Sequence, residues 1–111
     1  MRWNKVLNTI QIPAIGNIKT VDMAGKQICI INDEGKIVAT QSICPHAGGH
    51  LSGGWCKNGH LVCPVHRWEY DLKTGRGAEG QGDYIDIYPT EIREDGLYIG
   101  FTESWWSKLW G

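Results

Sequence analysis

Residues 44 to 66 hold three of the four cysteines, all four histidines, and Gly48, Gly49, Gly53, Gly54 and Gly59. A stretch so rich in glycine does not make regular strands, and it is too long for an ordinary connection, so it reads as a functional loop region. Whatever fold the chain adopts must present this segment on a scaffold built from the remaining residues. The thiols and imidazoles concentrated there are the side chains that bind metals.

The rest of the chain, from Lys5 to Gly100, reads as short β-branched and aromatic runs separated by turn residues. That pattern predicts an all-β protein, an antiparallel β-sandwich or barrel. The predicted strands are Lys19-Val21, Gln27-Ile31, Ile37-Gln41, Leu61-Cys63, Arg67-Asp71, Tyr84-Tyr88, Glu91-Glu94 and Leu97-Thr102. Asn32-Asp33-Glu34-Gly35-Lys36 reads as a hairpin connection with a glycine available for positive φ, and Asp95-Gly96 as a second one. A length of 111 residues supplies one hydrophobic core and leaves no room for a second catalytic domain. Beyond Thr102, Ser104 can cap a short amphipathic helix carrying Trp105, Trp106, Leu109 and Trp110. So short a helix needs a surface to pack on.

Charge narrows the partners. Eleven Lys and Arg against twelve Asp and Glu give a net charge of -1, with no basic run to follow a phosphate backbone, so nucleic acid is not expected. The N-terminus lacks the apolar stretch of an export signal, and no apolar run approaches the roughly 20 residues that span a bilayer. A soluble cytoplasmic protein is the expectation. In that setting Cys29, Cys44, Cys56 and Cys63 are not expected in disulfides. Cys29, in an alternating apolar strand, reads as a buried free thiol, and Cys56 as structural.

The informative residues are Cys44-Pro45-His46 and Cys63-Pro64-Val65-His66, with sixteen residues between His46 and Cys63. Two loops, each offering one thiolate and one imidazole, can converge on one metal centre. A tetrahedral zinc site is the simpler arrangement, but zinc fingers usually pair cysteine with cysteine and histidine with histidine. Here each loop pairs unlike ligands, which suits two neighbouring irons better.

This pattern, Cys-x-His, sixteen residues, Cys-x-x-His, resembles the signature of the Rieske 2Fe-2S proteins, and the resemblance covers residues 3 to 101. It implies a Rieske fold with a small inserted cluster-binding subdomain, about residues 42-73 within a domain of residues 1-103, followed by a Trp-rich extension at 104-111. It implies a 2Fe-2S cluster with Cys44 and Cys63 on the inner iron and His46 and His66 on the outer, solvent-facing one. Two thiolates and two neutral imidazoles bring an oxidised pair of ferric ions and two sulfides to zero net charge. Adding an electron to a neutral centre is easier than adding one to an already negative four-cysteine cluster, so mixed ligands raise the potential.

The positions around the ligands refine this expectation. Rieske proteins of cytochrome bc complexes carry extra cysteines that bridge the two loops, and the matching positions here are Gly49 and Val65. The serine that hydrogen-bonds a cluster sulfide in those proteins is replaced by Trp68. Fewer donors to sulfur destabilise the reduced cluster, so a low-potential site is expected. The run His66-Arg67-Trp68-Glu69-Tyr70-Asp71-Leu72-Lys73-Thr74-Gly75 resembles the second loop of bacterial Rieske ferredoxins and of the Rieske domains in aromatic-ring oxygenases, most of which have glycine where this chain has Arg67. If the segment is a strand, residues 66, 68 and 70 share a face. Trp68 then either packs the subdomain or covers the cluster towards a partner. His50 and His60 have no role in the motif and read as ordinary turn or surface residues.

The resemblance implies a soluble one-electron carrier, with no catalytic site of its own, passing electrons from a flavin-dependent ferredoxin reductase to a terminal oxygenase. A fixed small Rieske subunit of assimilatory nitrite reductase is the alternative, and a structural zinc module the third reading.

Overall fold

The apolar run Ile28-Cys29-Ile30-Ile31 lies in the middle of the molecule and is buried on both faces. It belongs to β3 (Lys26–Asp33), which pairs antiparallel with β2 (Ile18–Met23) on one side and β4 (Lys36–Gln41) on the other. A strand covered on both sides needs apolar residues at every position rather than at alternate ones. Cys29 and Ile31 point with Val38 into one core, which also contains Cys44, Leu51, Leu61, Cys63, Tyr70, Leu72 and Ile85. Ile28 and Ile30 point with Ile37 and Ala39 into the other, against Leu7, Leu97, Ile99 and Phe101.

The structure, a computed structural model, describes residues 2–23, 25–45 and 48–101. Three antiparallel sheets form among these residues. The middle sheet is completed by β8 (Ile87–Tyr88) beside β4. A second sheet orders β1 (Arg2–Asn8), β10 (Gly96–Phe101) and β9 (Thr90–Arg93), with β10 central. The third, smaller sheet is β5 (Trp55–Lys57), β6 (His60–Val62) and β7 (Glu69–Asp71), and it occupies the segment between β4 and β8. The expected all-β antiparallel fold with a small inserted sheet is therefore the one adopted.

The β3–β4 hairpin turns through Glu34 and Gly35, both at positive φ (52° and 98°), as a two-residue primed turn requires. Asn32 holds it: the Asn32 Oδ1 accepts the Gly35 N–H at 2.7 Å, and its Nδ2 donates to the Pro13 carbonyl at 2.9 Å. The second predicted hairpin joins β9 to β10 through Glu94 and Asp95.

Several strand expectations change. Arg67 is not in a strand, because residues 64–67 form a turn and β7 begins at Glu69. Of Tyr84-Tyr88 only Ile87 and Tyr88 join a sheet, while Tyr84 makes an isolated bridge to Arg76. β1 is an additional strand that its polar sequence does not advertise; it forms by pairing along β10, with a register shift between Lys5 and Leu7. β5 lies inside the segment read as loop. Thr102 and the predicted helix after Ser104 lie outside the described residues.

Candidate metal centre

Two loops at the end of the small sheet bring two of the expected ligands, Cys44 and Cys63, together. The first leaves β4 and folds back on itself: the Cys44 N–H donates to the Gly49 carbonyl at 2.8 Å, the Gly48 N–H to the Cys44 carbonyl at 2.9 Å, and Ile43 bridges His50. The second links β6 to β7, with the Cys63 N–H donating to the Trp68 carbonyl at 2.7 Å across Pro64, Val65, His66 and Arg67. His66 and Arg67 sit at φ 64° and 56°, two successive left-handed residues without the freedom of glycine. That turn aims the His66 side chain outward, and His66 is exposed.

The loops touch. A methyl group built on Gly49 would stand 2.7 Å from Val65 Cγ2 and 4.0 Å from Cys63 Sγ, so Gly49 and Val65, the two positions compared above with bridging cysteines, are neighbours here. Cys44 and Cys63 are both buried, at 1% and 0% exposure, and lie within hydrogen-bonding reach of one another. Burial pushes the Cys63 thiol above its usual range, the adjacent Cys44 adds to the effect, and the Val65 N–H opposes it by hydrogen-bonding the sulfur. A desolvated thiol pair of this kind becomes a thiolate pair only when a cation is supplied to it. The thiols face the interior and His66 the rim, and among the described residues no three His, Cys, Asp or Glu side chains gather on a single point. His46 and Ala47 lie outside the described residues.

Tyr70 lies beside Cys44. It is fully buried, and its hydroxyl lies 3.5 Å from Cys44 Sγ while donating to Asp83 Oδ2 at 3.0 Å. Burial, then Cys44 and Asp83, push the phenol pKa well above its ordinary range. Asp83 is held in turn by Gln81, whose Nε2 donates to Asp83 Oδ1 at 3.4 Å and to the Glu69 carbonyl at 3.2 Å. Gln81 and Asp83 escaped sequence reasoning. They sit in an irregular connection whose composition resembles any polar loop, and only the fold carries them back over β7. Trp68 is half-buried and packs against the core that contains both cysteines, the packing role of its two readings.

The other histidines and cysteines lie apart from the thiol pair, and His60 stands in β6 rather than in a turn. His50 is exposed at the start of a short 3-10 helix, Leu51–Gly53, and the half-buried His60 contacts the Asn58 carbonyl at 3.0 Å. No disulfide forms, Cys29 is fully buried and Cys56 half-buried.

The model of the Rieske 2Fe-2S domain matches residues 2–88. The chain belongs to the Rieske family. Its cofactor is accordingly the Rieske-type 2Fe-2S cluster. This Rieske chain is 31% identical over 99 residues to the ferredoxin component of the naphthalene 1,2-dioxygenase system of Pseudomonas aeruginosa, covering 88% of this chain and 94% of that protein. It is also 39% identical over 90 residues to the glycine betaine monooxygenase oxygenase subunit of Chromohalobacter salexigens, covering 77% of this chain but 20% of that one. Among solved structures, the Sphingomonas yanoikuyae B1 ferredoxin shares the Rieske fold with a TM-score of 0.79 at 20% identity, over 91% of this chain and all of that one. These residues fit the cluster: a buried, adjacent thiol pair with the Val65 N–H directed at the Cys63 sulfur, and an imidazole at the rim.

Proposed function

We propose that this chain is a one-electron carrier of the cytoplasm, taking electrons from a flavin-dependent ferredoxin reductase and giving them to a terminal oxygenase, with no catalytic site of its own. The observation that carries the reading is the division of the donors, thiols inside and imidazole outside. Likeness to a dioxygenase ferredoxin component supports the same assignment. Cys44 and Cys63 would hold one iron, and His46 and His66 the other. When bound, a Rieske-type cluster supplies reversible one-electron chemistry at a potential between about -150 and +300 mV.

The chain's own residues do the rest. The enclosing core keeps water from Cys44 and Cys63, and the Val65 N–H steadies the Cys63 sulfur. The left-handed turn at His66 and Arg67 leaves His66 exposed, and its imidazole would be the point of approach for a docked partner. Ile43 and Pro45 on the first loop and Val65 on the second are exposed and offer apolar contact for docking. In this reading residues 1–103 are the carrier domain, about 42–73 its cluster-binding part, and 104–111 an appended tail.

The test is the EPR spectrum of the dithionite-reduced protein with metal analysis of the same sample. Iron and acid-labile sulfide in equal amounts, with a reduced 2Fe-2S signal at the low average g of nitrogen ligation, support the carrier. Cys44→Ser or Cys63→Ser should lose both iron and signal. A silent sample holding stoichiometric zinc would sink the assignment, and hydroxylation of a substrate by the isolated protein would overturn the claim that catalysis lies elsewhere.

A further inference from the structure

The Tyr70 hydroxyl has two acceptors and one proton. Cys44 Sγ lies at 3.5 Å and Asp83 Oδ2 at 3.0 Å from it, on a residue with no exposed surface. Once Cys44 is a thiolate it can only accept, so sulfur and carboxylate compete for the same O–H. The carboxylate is well placed to win. Gln81 fixes it through Asp83 Oδ1, and the Gly77 N–H donates to the Asp83 backbone carbonyl at 2.9 Å, so the loop holding Asp83 is tied down at both ends of the residue.

We infer that Asp83 is a positioning residue that draws the Tyr70 proton away from the Cys44 sulfur and thereby keeps the potential of the centre low. The inference deepens the carrier reading and rests on Cys44 being a ligand. Its physical basis is the sign of the charge change. Reduction makes the ligand sulfurs more negative, so a hydrogen bond given to one of them favours the reduced form and raises the potential. A Tyr70 hydroxyl turned to Asp83 withholds that stabilisation and presents its oxygen lone pairs to the sulfur instead.

Asp83→Asn and Tyr70→Phe are close to isosteric, and together they make a double-mutant cycle read by redox titration of the holoprotein. Asp83→Asn, a weaker acceptor, should raise the potential. Asp83→Ala, which removes the acceptor, should do the same and covers the case in which the amide oxygen still takes the proton. Tyr70→Phe alone should leave the potential unchanged or slightly higher, because no donor is lost from the sulfur. In the Tyr70→Phe background, the rise caused by either Asp83 substitution should disappear. A fall in potential on Tyr70→Phe would mean that the hydroxyl already serves Cys44, and would overturn the inference. A rise on Asp83 substitution that persists without the hydroxyl would overturn it too, since it would reflect only the lost carboxylate charge. No change in either Asp83 variant would do the same. These outcomes presuppose the reduced 2Fe-2S signal in the unsubstituted protein; its absence there would instead remove the ligand assignment.

Discussion

Arg67 carries a cost that glycine would not. At φ 56°, directly after His66 at φ 64°, it occupies the left-handed region at a penalty of about 1 kcal/mol or more for an L residue. Because Arg67 is exposed, little packing offsets that cost. Arg67→Gly should stabilise the protein by about 1 kcal/mol, read as a melting temperature several degrees higher for a domain of this size. A lower melting temperature would show that the guanidinium makes up for the strained backbone. Cys29 gives a second residue-scale prediction, in pH. Burial raises its thiol above the ordinary value of 9.0, with Ser42 and Thr40 opposing, so the folded chain keeps this proton after the unfolded chain has lost it. Stability from this group is complete below about pH 9 and falls as pH rises towards the folded value, by up to about 1.4 kcal/mol per pH unit. In Cys29→Ala the alkaline fall of the denaturant midpoint should be shallower, and an unchanged slope would mean that the thiol titrates alike in both states.

At the scale of elements, the β3–β4 hairpin was legible because its instructions are local. Glu34-Gly35 supplies the two positive φ angles and Asn32 the hydrogen bond that closes the turn. Asn32 is nearly buried and also reaches the Pro13 carbonyl, tying the hairpin to the connection before β2. Asn32→Ala should therefore cost about 2 kcal/mol in urea denaturation, more than a surface turn residue would, because two hydrogen bonds made by a buried side chain are lost. A loss within about 0.5 kcal/mol, the range of ordinary surface substitutions, would mean that water replaces both. β1 was not legible for the opposite reason. Arg2, Asn4, Lys5 and Asn8 carry no alternating apolar signal, and the strand exists because β10 offers it an edge. The strand expected from Arg67 failed at the point where the ladder ends and the turn must carry His66 outward.

Across the whole molecule, the middle sheet separates two cores, one against β1 and β10 and one against the loops that bring Cys44 and Cys63 together. The second core reaches the cysteines through Leu51, Leu61 and Leu72, so the scaffold's packing and the site's dryness are one property. Position 68 contributes a half-buried indole packed on that core in place of a serine hydroxyl that could donate to a cluster sulfur. With that donor missing and the Tyr70 proton committed to Asp83, the potential should fall in the lower part of the range of about -150 to +300 mV, below zero. A protein-film or dye-mediated titration settling well above zero would contradict this. What the sequence by itself determined is the chemistry on offer: two thiol-imidazole pairs at a spacing that admits a mixed-ligand cluster, the hairpin turns, and strands enough for an all-β scaffold. Those features reside in residue types and short separations. Only the tertiary structure decided that Gly49 meets Val65, that the thiols lie inside while His66 stands at the rim, and that Asp83 comes back over β7 to claim the Tyr70 proton. Each of those contacts joins residues from different loops or elements, and such pairings depend on how the sheets pack rather than on any local pattern.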